Sequence, residues 1–273
     1  MNSTPTELFI IGGGYSIKEG LSLGLKDKMK NKFVISLNKS IEAFPDSTFL
    51  SFVDKETFYK KYKEELRKYA LIVGRHTEDL FKEKLPNTLL LKHTETYDRT
   101  LKSGVYGSFL VGLFALSLAI YLIDEGTIYL LGFDGGQLPP KPEDLTIGIV
   151  MNNRTIRVPV EDVTDKIINE KSANYVIKHE GKLYRVLSHF YQGEIEHRGV
   201  GKIEFYTKND KVNKLFAPFK EETKCKIFNV SPKSNLNIFT KIDYTTMFNQ
   251  MDNVVFNQNE LRVWCINKLG GLR

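Results

Sequence analysis

An α/β fold built on a doubly wound, mostly parallel sheet is predicted by three observations. Short apolar runs recur along the chain and alternate with stretches at helical spacing, the grammar of parallel strands joined by crossover helices. The first run, residues 8–11, stops at Gly12-Gly13-Gly14 and leads into a helix start at Ser16. Other runs stop at a polar residue, at Asn38, at Asp54 or at the Phe133-Asp134 pair, and ligands of an open parallel sheet gather at these carboxyl ends.

The elements follow in order. After the first strand, residues 16–25 read as a helix, 33–37 as a strand ending at Asn38, 41–44 as a short helix closed by Pro45-Asp46, and 48–53 as a strand ending at Asp54. Residues 55–69 interleave charges with Phe58, Tyr59, Tyr62, Leu66 and Tyr69, the spacing of a solvated amphipathic helix. Residues 70–73 and 88–91 read as further strands. Residues 105–123 are almost uninterrupted apolar sequence, and a run of about 18 such residues can span a bilayer. This run is broken by Gly107, Ser108, Gly112 and Ser117, and is followed by Asp124-Glu125-Gly126 and a strand at 127–131. It therefore reads as a long central helix of a soluble domain, beginning near Ser103.

From Gln137 the pattern changes. Pro139, Pro140 and Pro142 break the chain, and two hairpin signals follow, 147–151 with 155–160 and 175–178 with 183–187. Each is too small to bury its own core. The expected organisation is a nucleotide-binding, Rossmann-like part at 1–136, an insertion or lid with hairpins at 137–202, and a C-terminal part at 203–273 that completes the same domain. In that last part, 203–206 opens a helix, 224–230 is a buried strand and Asp243 begins a helical stretch.

The net charge of +6 favours phosphate-bearing or otherwise acidic partners. Only two cysteines occur, Cys225 and Cys265, too few for a disulfide framework, so they read as small hydrophobes in a reducing compartment. Residues 1–7 carry no basic region and the apolar run after them is short, so a secretory signal is not expected. The expected location is the cytoplasm, at most peripheral to a membrane surface, with no transmembrane segment.

The glycine turn suits phosphate binding, because backbone N–H groups approach an anion where no Cβ intervenes. It is neither a dinucleotide fingerprint, since Ile17 stands where the third glycine belongs, nor a Walker A loop. A tight turn without ligand is its plain alternative. Asn38 and Asp54 can reach ribose hydroxyls or base edges, or simply cap helices. Ser103, with Gly104, stands ahead of the apolar run and can cap it or donate to a ligand. His197 lies in a polar, glycine-punctuated loop and can act as a general base or remain merely solvated. No metal-ligand spacing and no Gly-x-Ser-x-Gly elbow is present.

Several separated segments resemble the bacterial lipooligosaccharide sialyltransferases and the wider group that includes the archaeal-type 6-hydroxymethylpterin diphosphokinases. They are Phe9-Ile10-Ile11-Gly12-Gly13-Gly14-Tyr15-Ser16-Ile17-Lys18-Glu19, the Asn38 strand end, Phe52-Val53-Asp54, Ser103-Gly104-Val105-Tyr106, Ile128-Tyr129-Leu130-Leu131-Gly132-Phe133-Asp134, and Ile227-Phe228-Asn229-Val230-Ser231-Pro232-Lys233-Ser234. The resemblance implies a single Rossmann-like domain with a small lid that binds a CMP-sugar without metal and inverts at the anomeric carbon. It places the nucleotide on Gly12, Gly13, Gly14, Asn38, Asp54 and Ser103, with Ser16, Gly104, Phe133, Asp134, Ser231 and Ser234 in the same matching segments. By position, His197 corresponds to the histidine that deprotonates the acceptor. The chain departs from the pattern at Gly13 and Asp54, where the family has asparagine, at Arg99, one residue out of step, and at Gly135 and Gly136, where it has the tyrosines that steady the leaving phosphate. Tyr191, Arg198 or Lys202 can take that role.

The function so expected is a metal-independent, sialyltransferase-like glycosyltransferase that moves a sugar from a nucleotide-activated donor to an acceptor hydroxyl, with His197 as base. The acceptor class is an acidic glycan, a lipid-linked saccharide or nucleic acid, and a homo-oligomer is compatible with the sequence. No cofactor is expected beyond the nucleotide-sugar co-substrate. The alternatives are an ATP-dependent diphosphokinase of the pterin type, which needs magnesium and has Asp54 and Asp134 as strand-end ligands, and a nucleotide-binding module without turnover.

Overall fold

The apolar runs fold as strands of one sheet. The computed structural model describes residues 4–14, 16–107, 110–134, 146–151, 154–159, 175–179, 182–186 and 208–272. Its first half contains β1 (Glu7–Ile11), α1 (Ile17–Ser22), α2 (Leu25–Lys28), β2 (Val34–Leu37), β3 (Phe49–Phe52), α3 (Lys63–Leu66), β4 (Ile72–Arg75), α4 (Glu78–Glu83) and β5 (Thr88–Leu91). Then come β6 (His93–Thr94), β7 (Val105–Tyr106), α5 (Val111–Ile123), β8 (Glu125–Leu131), and the strands β9 (Thr146–Met151), β10 (Arg154–Pro159), β11 (Tyr175–His179) and β12 (Lys182–Val186). The chain closes with α6 (Lys208–Glu222), β13 (Lys224–Asn229), β14 (Thr240–Lys241), α7 (Tyr244–Gln250) and α8 (Gln258–Gly270).

Eight strands pair in parallel in the order β14-β13-β8-β1-β2-β3-β4-β5. The sheet grows outward from β1 to β5 on one side, and then from β8 to β14 on the other. Ile11 is level with Ser36 of β2 and with Leu131 of β8. The strand order therefore reverses between β1 and β8, and the fold is the doubly wound, Rossmann-like sheet that the alternating runs predict. The hairpins at 146–159 and 175–186 also form, each as an antiparallel pair.

Strand β1 shows why the runs are continuous and not alternating. Leu8 and Ile10 face α5 together with Ile128 and Leu130, while Phe9 and Ile11 face Ile17, Leu25 and Tyr244 on the other side. These four apolar side chains of β1 are fully buried, and each contributes about 1.5–3 kcal/mol by leaving water. The rings of Phe9 and Tyr129 stack at 5.2 Å on the α1 side. Helix α5 is apolar all round because it packs on β1, β2, β3 and β8 and lies under α6. Among the described residues no helix is long and apolar enough to cross a membrane.

Several sequence expectations are corrected. The apolar run at 105–123 is not one helix: Val105 and Tyr106 form β7, paired with His93 and Thr94, and the helix starts only at Val111. Gly107, at φ +105°, makes the break, since a Cβ there would meet that of Leu113 at 2.5 Å. Ser103 consequently caps no helix. The helix expected over 16–25 ends at Ser22 and resumes after Gly24, which adopts the left-handed φ of +86°. The amphipathic stretch at 55–69 is a π-helical turn at Lys55–Lys60 followed by the short α3. The wide turn, closed by Tyr59 N–H donating to the Asp54 carbonyl at 3.1 Å, lets Phe58 and Tyr59 both turn inward, and the Tyr59 hydroxyl accepts the Leu85 N–H at 2.8 Å. The helix expected at 203–206 is observed from Lys208, and 203–206 lie outside the described residues. Cys225 and Cys265 are buried free thiols, and burial pushes both above the ordinary thiol range.

Candidate functional site

The carboxyl ends of β1 and β8 meet at the point of strand reversal. Gly12 N–H donates to Leu131 O at 2.7 Å and Gly14 N–H to Gly132 O at 3.0 Å, so the two strand exits cross in contact. A Cβ on Gly12 would stand 2.8 Å from Gly132 O, and one on Gly14 would stand 2.5 Å from both Gly132 O and Asp134 Oδ2. These contacts alone require glycine at 12 and 14. Gly13 is half-buried between them.

Asp134 then closes the start of α1. Its Oδ2 accepts the Ser16 N–H at 3.1 Å and its Oδ1 accepts the Ser16 hydroxyl at 2.5 Å, with both residues buried. Ser16 stands at the N-cap position but makes no cap bond with its own side chain. The carboxylate of β8 does that work, and its negative charge suits the positive end of the helix. Tyr244 of α7 packs its ring against Gly20, and its hydroxyl is buried beside Ser16 and Asp134 with no hydrogen bond of ordinary geometry. Burial, and next the Asp134 charge, push that phenol far above its ordinary range.

The loop after β8 is held from behind. Ser234 Oγ and Asn229 Nδ2 donate to Phe133 O at 2.7 and 3.1 Å, and Asn235 N–H donates to Asp134 O at 2.7 Å. Ser231 is buried and accepts the Ser234 N–H through its carbonyl. Ser231 and Ser234 thus brace Phe133 and Asp134 from beneath and do not line an open surface. Asn38 ends β2 with a left-handed φ of +50°, and its Oδ1 is buried without a hydrogen-bond partner. Ser40 ties this exit to β1 by donating to Ile11 O at 2.8 Å. Asp54, after β3, is exposed and makes no side-chain cap bond.

Gly12, Gly14, Ser16, Phe133, Asp134, Ser231 and Ser234 therefore form one contiguous group. Asn38 lies two residues past the Ile11–Ser36 pair, at the end of the strand next to β1. Asp54 is one strand further out. Ser103 and Gly104 stand next to Lys92 beyond β5, where a Cβ on Gly104 would press on the Lys92 carbonyl. They thus stand at a different strand end from the Gly14–Asp134 group. His197, Arg198, Tyr191, Lys202, Gly135 and Gly136 lie outside the described residues. Among the described residues no group of three or more His, Cys, Asp or Glu is arranged to hold a metal ion.

Comparison of the chain with protein-family models, with curated proteins and with solved structures finds no match.

Three features of this edge escaped the sequence reading. Tyr244 carries no local signal, since only the fold brings it to the loop, whereas Asn229 is readable as the polar end of an apolar strand. Arg75 and His76, at the exit of β4, follow an apolar run that stops at Val73, two residues before the strand ends.

Proposed function

We propose that the protein binds a nucleotide-activated sugar at the crevice between β1 and β8 and transfers the sugar to an acceptor hydroxyl. The observation that carries this reading is the strand reversal between β1 and β8, next to which β2 ends at Asn38 with its amide oxygen buried and without a hydrogen-bond partner. Such a crevice is the usual ligand site of a doubly wound sheet.

In this reading the residues take separate parts. The Ser16 N–H is already engaged by a carboxylate, so the phosphate does not sit at the start of α1, where it would meet Asp134. It sits over Gly13 and the β2 exit, with the nucleoside directed toward Asn38 and Asp54. His197 takes the acceptor proton in this reading, as its sequence position suggests, and Arg198 and Tyr191 meet the charge that develops on the leaving phosphate.

The diphosphokinase reading is weaker on one geometric point. Asp134 follows β8 and Asp54 follows β3, three strand spacings away, or about 14 Å at ~4.8 Å per strand. The two carboxylates do not reach one magnesium ion. The test is sugar transfer from CMP-, UDP- and GDP-sugar donors in excess EDTA. Transfer persists if the reading holds, and turnover that appears only with ATP and magnesium contradicts it.

A further inference from the structure

Helix α8 has two apolar faces, and the fold uses one of them. Leu261, Cys265 and Leu269 are fully buried in the α5 cluster. Val263 and Ile266 point away from that cluster and are 57% and 37% exposed. They belong to the row Asn259, Val263, Ile266 and Gly270, spaced four, three and four residues apart, which is the seam spacing of paired helices. An open groove of about 440 Å³, lined by Asn259, Glu260, Val263, Trp264 and Asn267, runs beside the row. A helix that is apolar on both sides is normally covered on both.

The cations of α8 are drawn back into the body of the protein. Arg262 donates to the carbonyls of Ser47 and Thr48 at 3.1 and 3.0 Å, and Lys268 to that of Leu122 at 2.6 Å. Arg262 Nη1 also donates to Asn259 Oδ1 at 3.3 Å and fixes that amide at the start of the row. Gln258 donates to Lys32 O at 2.9 Å. These partners precede β2, β3 and β8, so α8 lies along the amino edge of the sheet, opposite the crevice. Like charge opposes self-association of a chain that carries +6, and a row without a cation removes that repulsion from the contact.

The row also reads the same from either end. When two such helices lie antiparallel about a two-fold axis, Val263 stands opposite the partner's Ile266, and Asn259 opposite the partner's Gly270. Nothing lies within 4 Å of a Cβ built on Gly270 or Gly271, so the asparagine has room there. Such self-complementarity is what a two-fold contact between identical subunits requires.

We propose that α8 is the docking surface for a second copy of this chain, in a two-fold, antiparallel pair through Val263 and Ile266. The 13-residue helix is about 20 Å long at ~1.5 Å per residue, so the contact belongs to the small, weak class of interfaces and dissociates on dilution. The pair leaves the carboxyl edges of both copies clear, and it depends on neither a nucleotide nor the transferase reading.

The test is sedimentation equilibrium of the full chain from about 1 to about 200 μM, the range in which weak interfaces form. The average mass should rise from monomer to dimer. Val263→Lys sets like charges across the seam and should weaken the dimer at least about tenfold, with an unchanged unfolding midpoint because Val263 is exposed. A short bis-maleimide then reads the orientation. Asn259 and Gly270 lie about 16 Å apart along the helix at ~1.5 Å per residue, so an equal mixture of Asn259→Cys and Gly270→Cys should link far more than either variant alone. Cys225 and Cys265 are buried and leave wild type unlinked. A monomer at every concentration, a dimer that Val263→Lys leaves intact, or links that each variant forms only with itself would overturn the proposal. So would a thiol introduced by Val263→Cys that a small maleimide cannot reach in the monomer, since another part of the same chain would then cover the row.

Discussion

The Ser16 hydroxyl donates to Asp134 Oδ1 at 2.5 Å across the strand reversal, so the first helix is fastened to the far strand by a buried carboxylate. The same carboxylate accepts the Ser16 amide. Asp134 therefore holds the glycine turn shut from one side while Ser234 and Asn229 hold the Asp134 loop from the other.

Asp134→Ala should destabilise the fold, because it strands two buried donors of Ser16. Each unpaired donor costs about 1–3 kcal/mol, and Asp134→Asn, which keeps an acceptor, should cost less. Urea unfolding of the two variants checks this. An alanine variant as stable as wild type would mean that the carboxylate does not fasten the helix.

A second buried carboxylate makes stability depend on pH. Glu7 and Lys32 are both buried at the amino end of the sheet, with Glu7 Oε2 3.9 Å from Lys32 Nζ. Glu7 Oε1 accepts the Asp252 N–H at 3.2 Å, and Lys32 donates to the carbonyls of Asp252 and Val254 at 2.6 and 2.8 Å. Burial, against the pull of the Asp252 amide and Lys32, raises the Glu7 pKa to about 7. The folded value lies above the unfolded one, so this contribution is complete at low pH and is lost as pH rises from about 4.5 to about 7, by on the order of 3 kcal/mol at most. Glu7→Gln should be more stable than wild type at pH 8, and the gap should close at pH 4.5. A variant that is the less stable of the two at pH 8 would show instead that Glu7 is ionised and paired with Lys32.

The β1, β5 and β8 strands are legible in the sequence because each is covered on both faces, which leaves an apolar run with sharp ends. Residues 105–123 are not, since a continuous apolar run has no period and cannot tell a strand such as Val105-Tyr106 from the helix after it. The end of β4 is blurred for another reason: Gly74 and Arg75 belong to the strand through their backbone ladder, not through their hydrophobicity. At the site, the glycines and polar strand ends are readable as types. Their division of labour is not, because the Ser16–Asp134 bond joins residues 118 apart in the chain and turns an expected phosphate cradle into a packing contact. The transferase reading gives the ligand to Gly13 and Asn38.

His197 is the base in the transferase reading. His197→Ala should lower turnover by on the order of 10² to 10⁴, with nucleotide affinity little changed. Retention of more than about a third of the rate, against the losses typical of a missing base, would move the base elsewhere.

The central claim is a nucleotide over Gly13 at the β1–β8 crevice, and calorimetric titration with CMP of wild type and Gly13→Val tests it most directly. The account predicts saturable binding by wild type and an affinity at least about tenfold weaker in the variant, with an unchanged unfolding midpoint. Equal affinity of the two proteins for CMP, or no nucleotide bound by wild type, would contradict it.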